Sequence, residues 1–296
     1  MVNATRMGGT PLIMRMKTAM FNRTVATVGL TALLWLLCTL TIPDPLQAEV
    51  YFDTDFESCN VGTGNDFPCE GWDDLGIEAI DHLEITNSMA FSGTKSVKGT
   101  WDNINGSSIK PSIYKTFPKS DHIFVRFATR QSPGFQIGSN NLTKMIRFRT
   151  DGGYPVFFAM LGAGKFITAV ERSYVGGTYH VFSDVTPSQT SWDQVEVEWK
   201  LNTPGQSDGL MRMWINGILR IERLNQQFLG PLPTSVDAQR VSVPSTTRFD
   251  TAQIYVQSGL GNIYYDRVAV GNTRIGPASA GRDITPPTRP TLNPIP

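Results

Sequence analysis

Beyond residue 49 the chain is a succession of short runs rich in Val, Ile, Phe, Tyr and Thr, split by Gly, Pro, Asn, Asp and Ser clusters, with no sustained helical period. This pattern constrains the fold more than any other feature. The expected strands are Val50 to Phe56, Ser96 to Trp101, Ile109 to Phe117, His122 to Arg130, Lys144 to Thr150, Pro155 to Leu161 and Phe166 to Arg172. They continue with Thr178 to Ser183, Gln194 to Leu201, Gly209 to Ile215, Leu219 to Arg223, Thr251 to Gln257 and Ile263 to Val270. In Gln194 to Leu201, Val195, Val197, Trp199 and Leu201 share one face, while Gln194, Glu196, Glu198 and Lys200 share the other. One face is expected in the core and the other in water. His122 to Arg130 splits the same way, with Ile123, Val125 and Phe127 opposite Phe124, Arg126 and Arg130. Such alternation belongs to antiparallel sheets with one solvated face. An all-β, two-sheet sandwich or a barrel follows.

Turn chemistry agrees with this. Ile215-Asn216-Gly217-Ile218 carries a strong short hairpin signal, although a simple two-residue turn would pair Met213 with Arg220, so a bulge or a longer loop is expected. Gly162-Ala163-Gly164-Lys165 has no following Ser or Thr and no βαβ context, and reads as a turn and not as a phosphate loop.

The first 48 residues are of another kind. Arg6, Arg15, Lys17 and Arg23 precede an uncharged apolar run from Val25 to Ile42, then Pro43, Pro45 and the small Ala48. This predicts a signal peptide over 1–48 and a mature chain that is secreted or periplasmic, the alternative being an uncleaved anchor. Of 26 basic and 26 acidic residues, four basic groups and Asp44 fall in that segment, leaving 22 against 25. A slightly acidic domain without Lys/Arg runs excludes the electrostatic footprint of a nucleic-acid binder. No membrane partner is expected after cleavage, and the domain is expected to be a monomer. Outside the signal, Cys59 and Cys69 form an even pair across a Gly- and Asn-rich loop and are expected to be disulfide-bonded in an oxidising compartment. The stretch 281–296 carries a run of prolines that cannot join a sheet ladder and reads as a disordered tail, leaving the domain at 49–280.

Trp192 to Arg220, WDQVEVEWKLNTPGQSDGLMRMWINGILR, combines a W-x-x-V-E-x-x-x-K-x-N strand, a Pro-Gly-x-x-Asp-Gly turn and a Trp-x-Asn-Gly hairpin. Phe52 to Ser58 opens the domain as FDTDFES, and Ile263 to Val270 closes it as IYYDRVAV. Together these resemble the concanavalin A-like lectin and glucanase superfamily of jelly rolls, and within it the jelly-roll polysaccharide lyases of heparin lyase and glucuronan lyase type. The resemblance implies an antiparallel jelly-roll sandwich that cleaves an acidic polysaccharide by β-elimination, the alternative being a non-catalytic carbohydrate-binding or adhesion module. It also implies one structural calcium, held by Asp55 or Glu57 together with Asp266, since carboxylate oxygens suit that ion.

A uronate lyase needs a cation or amide beside the sugar carboxylate, a base, and an acid near the leaving oxygen. Arg147 and Arg149 share one strand face, as do Arg126 and Arg130, and these four arginines are the candidate substrate-binding residues. The run Tyr174 to His180 supplies Tyr179 or His180 as the proton-transfer group; as strand neighbours they face opposite sides. The Gln-Ile-His and Tyr-x-Lys-x-Gly patterns of alginate lyases are absent. Glu196 and Glu198, two apart on one strand, offer a paired-carboxylate alternative for glycoside hydrolysis.

Overall fold

The computed structural model describes residues 49–63, 69–75, 82–103, 112–171, 178–229 and 246–278. The expected signal segment 1–48, the tail 281–296 and Tyr174 lie outside the described residues. The described chain is all strand, without a helix.

In chain order the strands are β1 (Val50–Thr54), β2 (Gly62–Thr63), β3 (Asp74–Leu75), β4 (Leu83–Thr86), β5 (Ser96–Asn103) and β6 (Ser112–Ser120). They continue with β7 (His122–Gln131), β8 (Gln136–Ile137), β9 (Leu142–Thr150), β10 (Val156–Gly162), β11 (Lys165–Glu171) and β12 (Thr178–Phe182). The last are β13 (Asp193–Lys200), β14 (Gly209–Ile215), β15 (Ile218–Gln226), β16 (Phe249–Gln257) and β17 (Gly259–Gly271). Their pairing is antiparallel. One sheet has ten strands, ordered β15-β14-β13-β7-β17-β5-β4-β2 with β1 and β8 also on β17; the other has seven, ordered β12-β11-β10-β9-β16-β6-β3. This is the expected jelly-roll sandwich.

The core lies between the sheets. Val195, Val197 and Trp199 of β13 and Ile123, Val125 and Phe127 of β7 meet Ile146 and Phe148 of β9 and Phe157 of β10. Trp199 is fully buried, its ring 5.2 Å from Phe148 and 5.7 Å from Phe157. Its indole N–H donates to the Thr168 hydroxyl across the sandwich at 2.9 Å, so the ring joins the two layers. Such a ring contributes both large apolar area and a satisfied polar handle.

The Asn216-Gly217 reversal is the tight hairpin that its residues demand, pairing Ile215 with Ile218. Both central residues are left-handed, with φ of 52° and 78°, as this turn class requires. A bulge between Met213 and Trp214 pairs Met213 with Ile221 and resolves the mismatch in alternation. Gly162 to Lys165 is likewise a turn, between β10 and β11. Cys59 and Cys69 form the expected disulfide, with Cα atoms 5.5 Å apart.

The sequence-based expectation of a wet face on β13 is corrected. Glu196 and Glu198 are buried. The segment after β17 folds over the strand, and the backbone N–H groups of Ile275 and Gly276 donate to Glu196 Oε1 at 2.8 and 3.0 Å while Arg274 reaches Oε2. Glu198 pairs with His122 at 2.8 Å and with Arg212 at 3.1 Å. Burial pushes the Glu198 carboxyl up, but those two partners outweigh it and hold the group below its ordinary range. Two carboxylates so engaged are structural, and the hydrolase alternative loses its acid pair.

Candidate functional site

The four arginines expected in one binding site fall on two sheets. Arg126 and Arg130 are on β7 of the ten-stranded sheet, and Arg147 and Arg149 are on β9 of the seven-stranded one. Side chains opposite in sense to the core residues of each strand point away from the sandwich, so the two pairs lie on opposite outer faces. Sequence alternation placed each pair on one face correctly but carried no information on which sheet a strand would join.

Arg126 is buried, donates from Nη2 to Asp53 at 3.0 Å and from Nε to the Arg267 carbonyl, and ties β7 to β1 and β17. Its charge is spent within the fold. Arg130 is half-buried beside Tyr264 of β17, with its Nε buried and without a hydrogen-bond partner.

The outer face of the seven-stranded sheet is organised around Arg147. Register fixes a lateral row: His180 of β12 stands opposite Ala169 of β11, Ala169 opposite Phe158 of β10, Phe158 opposite Arg147, Arg147 opposite Gln253 of β16, and Gln253 opposite Tyr114 of β6. His180 therefore shares the face of Arg147, whereas Tyr179 pairs with the core residue Val170 and points to the other side. Of the two proton-transfer candidates, the pleat selects His180.

The floor of this face is a small apolar layer of Val156, Phe158, Met160, Ile167 and Ala169, separate from the main core, with Leu142 and Tyr154 packed against it. On it the guanidinium of Arg147 lies 5.2 Å from the Tyr255 ring centroid, and Lys144 Nζ stands 4.4 Å over the Phe158 ring. Lys144 also approaches Glu171 at 3.8 Å. No carboxylate among the described residues comes within ion-pair distance of Arg147, and its Nε is buried without a hydrogen-bond partner. His180 Nε2, Gln253 Oε1 and Gln257 Oε1 are in the same condition. Buried polar groups of that kind are uncommon in folded proteins, and each calls for a partner or a reason. Four on one face form a polar surface suited to a ligand.

Electrostatics sharpen the picture. Burial, with the neighbouring Arg149 adding to it, lowers the Arg147 pKa against the opposing pull of Tyr255 and Glu171, and a guanidinium remains a cation throughout the physiological range. Burial, with Lys144 adding to it, lowers His180, so the imidazole is neutral at pH 7. Burial pushes the Tyr255 phenol up to about 12, and it is protonated there. Sequence reasoning missed Tyr255, Gln253 and Lys144. The alternation Thr251, Gln253, Tyr255 on β16 was available as a signal, but nothing in the sequence paired β16 with β9.

The carboxylates expected to hold calcium are each engaged within the chain. Asp266 is fully buried and its carboxylate accepts three backbone N–H groups, from Phe91, Ser92 and Arg267. Asp55 accepts from the Glu57 N–H and faces Arg267 Nη1 at 3.3 Å. Glu57 accepts from Thr94 and from the Lys95 N–H. Among the described residues no three His, Cys, Asp or Glu side chains converge on a point where a cation would sit.

No protein-family model matches the chain, and no curated protein does. Solved structures do. The endo-β-1,4-glucuronan lyase of the fungus Trichoderma reesei superposes with a TM-score of 0.54 at 16% identity, over 76% of this chain and 96% of that one. The PL-14 alginate lyase of Aplysia kurodai gives 0.55 at 9% identity, over 75% and 99%. Alginate lyase Aly36B gives 0.50 at 14% identity, over 77% and 98%. At these identities the likeness establishes the jelly-roll fold that those lyases share with this chain.

Proposed function

We propose that the outer face of the seven-stranded sheet receives an acidic polysaccharide and that the exported chain is a polysaccharide lyase acting by β-elimination. The observation that carries this reading is Arg147, half-buried with its Nε fully buried and without a hydrogen-bond partner, outside ion-pair distance of any carboxylate among the described residues and packed against a protonated tyrosine. A partly desolvated cation without an ion-pair partner gains from one, and a uronate carboxylate supplies it. The likeness to uronan lyases and the oxidised Cys59–Cys69 pair, which suits an oxidising compartment, support the same reading.

The chemistry asks little more of the chain. Arg147, with the Gln253 amide opposite it, binds the carboxylate and makes the adjacent C–H more acidic by stabilising the enolate-like charge that develops. Tyr255, in its ionised form, takes the proton from the C–H as the enolate-like charge develops, and the phenol so formed returns it to the glycosidic oxygen as the C=C bond forms and the C–O bond breaks. The net change is one proton moved from carbon to oxygen. Arg147 beside the ring stabilises any phenolate character on the way.

A second reading, binding without cleavage, is favoured by the same phenol: raised to about 12, it is a poor base at neutral pH. One experiment separates the two. Incubation with polyglucuronate, polymannuronate and polyguluronate should produce the absorbance of an unsaturated uronate. Retention on the polymers without that product would establish a binding module and end the lyase reading.

A further inference from the structure

We propose that His180 and Phe182 form a distal subsite that grips a sugar ring several residues along the glycan from the one held by Arg147. The proposal rests on the reading of this face as an acidic-polysaccharide site. It gives His180 a positioning role in place of the proton-transfer role expected from the sequence.

The first observation is distance. His180 and Arg147 share a row but stand three strands apart, on β12 and β9, or about 14 Å between backbones at the usual strand spacing. Elimination at one sugar requires acid, base and carboxylate partner within hydrogen-bond reach of adjacent atoms. His180 is too far away to serve the sugar that Arg147 holds. The strand spacing is close to the rise of one residue in an extended pyranose chain, so a glycan laid along the row would present roughly its third neighbour to β12.

The second observation is the character of that end of the row. β12 is the edge strand, and it turns outward both His180, whose Nε2 is buried without a partner, and Phe182, which is 49% exposed. The two rings stand 6.4 Å apart, nearly perpendicular. Phe182 leans over Gly162, where a Cβ would fall 3.4 Å from its ring and 2.8 Å from Ile167. One side of the ring thus rests on backbone and leaves the other to solvent. Phe182 adds nothing to either apolar cluster of the core. A half-exposed ring beside an unsatisfied neutral imidazole offers a pyranose what it needs: an apolar surface for its C–H face and a hydrogen-bond partner for a hydroxyl.

The test measures binding and turnover of oligouronates by the full chain, comparing trisaccharides with hexasaccharides. Phe182→Ala should weaken hexasaccharide binding about tenfold and leave the trisaccharide unchanged within about twofold, while Phe182→Trp keeps both. His180→Ala should show the same dependence on length. Equal weakening at both lengths, or none at either, overturns the subsite. If unsaturated product appears but length has no effect in the variants, the subsite fails and the lyase reading stands. If length has its effect without product, the lyase reading fails alone. If the unaltered chain binds neither oligosaccharide, both fail.

Discussion

The outer faces of the two sheets are built from similar residue types and differ in how their central charges are paired. On the ten-stranded sheet Arg126 faces Asp53, Arg267 faces Asp55, Glu196 faces Arg274, and Glu198 faces His122 and Arg212, while Arg130, toward the end of β7, keeps a buried Nε without a partner. On the seven-stranded sheet Arg147 makes no ion pair with a carboxylate among the described residues, Glu171 acting on it only from a distance, and Arg147, His180, Gln253 and Gln257 keep buried atoms without partners. Charges neutralised within the fold contribute to its definition, whereas charges left open in a low-dielectric layer await a partner from outside. Residue type does not distinguish the two cases; the set of neighbours does.

The comparison breaks first if the core that both faces share does not dominate stability. Trp199→Ala removes the ring that packs on Phe148 and Phe157 and leaves Thr168 without its donor. A loss of about 4 kcal/mol is expected, a large share of the about 5 to 15 kcal/mol by which folded domains are stable. Denaturant unfolding measures it, and a loss below about 1 kcal/mol would remove Trp199 as the bridge between the layers.

Next come the two arginines, which the comparison sets apart. Arg126→Ala strands Asp53 and removes a donor to the Arg267 carbonyl; because Asp53 is partly exposed, about 2 kcal/mol is expected and not the full cost of breaking a buried pair. Arg147→Ala should change stability by less than about 1 kcal/mol, since the cation it removes is uncompensated, while lowering affinity for a polyuronate at least tenfold. Similar melting temperatures for the two variants, or full glycan affinity in Arg147→Ala, would erase the distinction between the faces.

The long strands were legible because each alternates over enough residues to define a face: β7, β9 and β13 begin and end within two residues of their expected bounds. The short ones, β2, β3, β4 and β8, were not, because two to four residues leave no room for a period. The candidate site was half legible. Arg147 and His180 were named from chemistry, but their shared row depends on three strand pairings that local pattern does not encode, and so does the separation of Arg126 from Arg147. The burial of Glu196 was hidden for a similar reason: its partners, Arg274 to Gly276, lie about 80 residues away.

A smaller effect is expected at His180. Burial and Lys144 lower its pKa from 6.5, so the folded state resists protonation that the unfolded chain accepts. Stability contributed by the neutral ring is present above pH 6.5 and declines as pH falls below it. The imidazole should titrate below 6.5 by NMR and shift toward 6.5 in Lys144→Gln. A midpoint at or above 6.5 would place His180 in water and weaken its place on the apolar floor.

The smallest expected effect is none at all, on removal of calcium. Where the resemblance implies a cation near the β1 end of the ten-stranded sheet, the chain places its own: Lys95 Nζ donates to the carbonyls of Glu57 and Cys59 at 2.7 Å each, while its backbone N–H meets the Glu57 carboxylate. An ammonium in that position satisfies the two carbonyls and places a positive charge beside the Glu57 segment, without depending on ion concentration. A chelator should leave the melting temperature unchanged within about a degree, and added calcium should not raise it. Lys95→Met should cost about 1 to 2 kcal/mol, as expected for losing two partly exposed, charge-assisted hydrogen bonds. A fall in melting temperature on chelation, reversed by calcium, would mean that Asp55, Glu57 and Asp266 rearrange around an ion after all, and that the ten-stranded face is not closed by the chain's own charges.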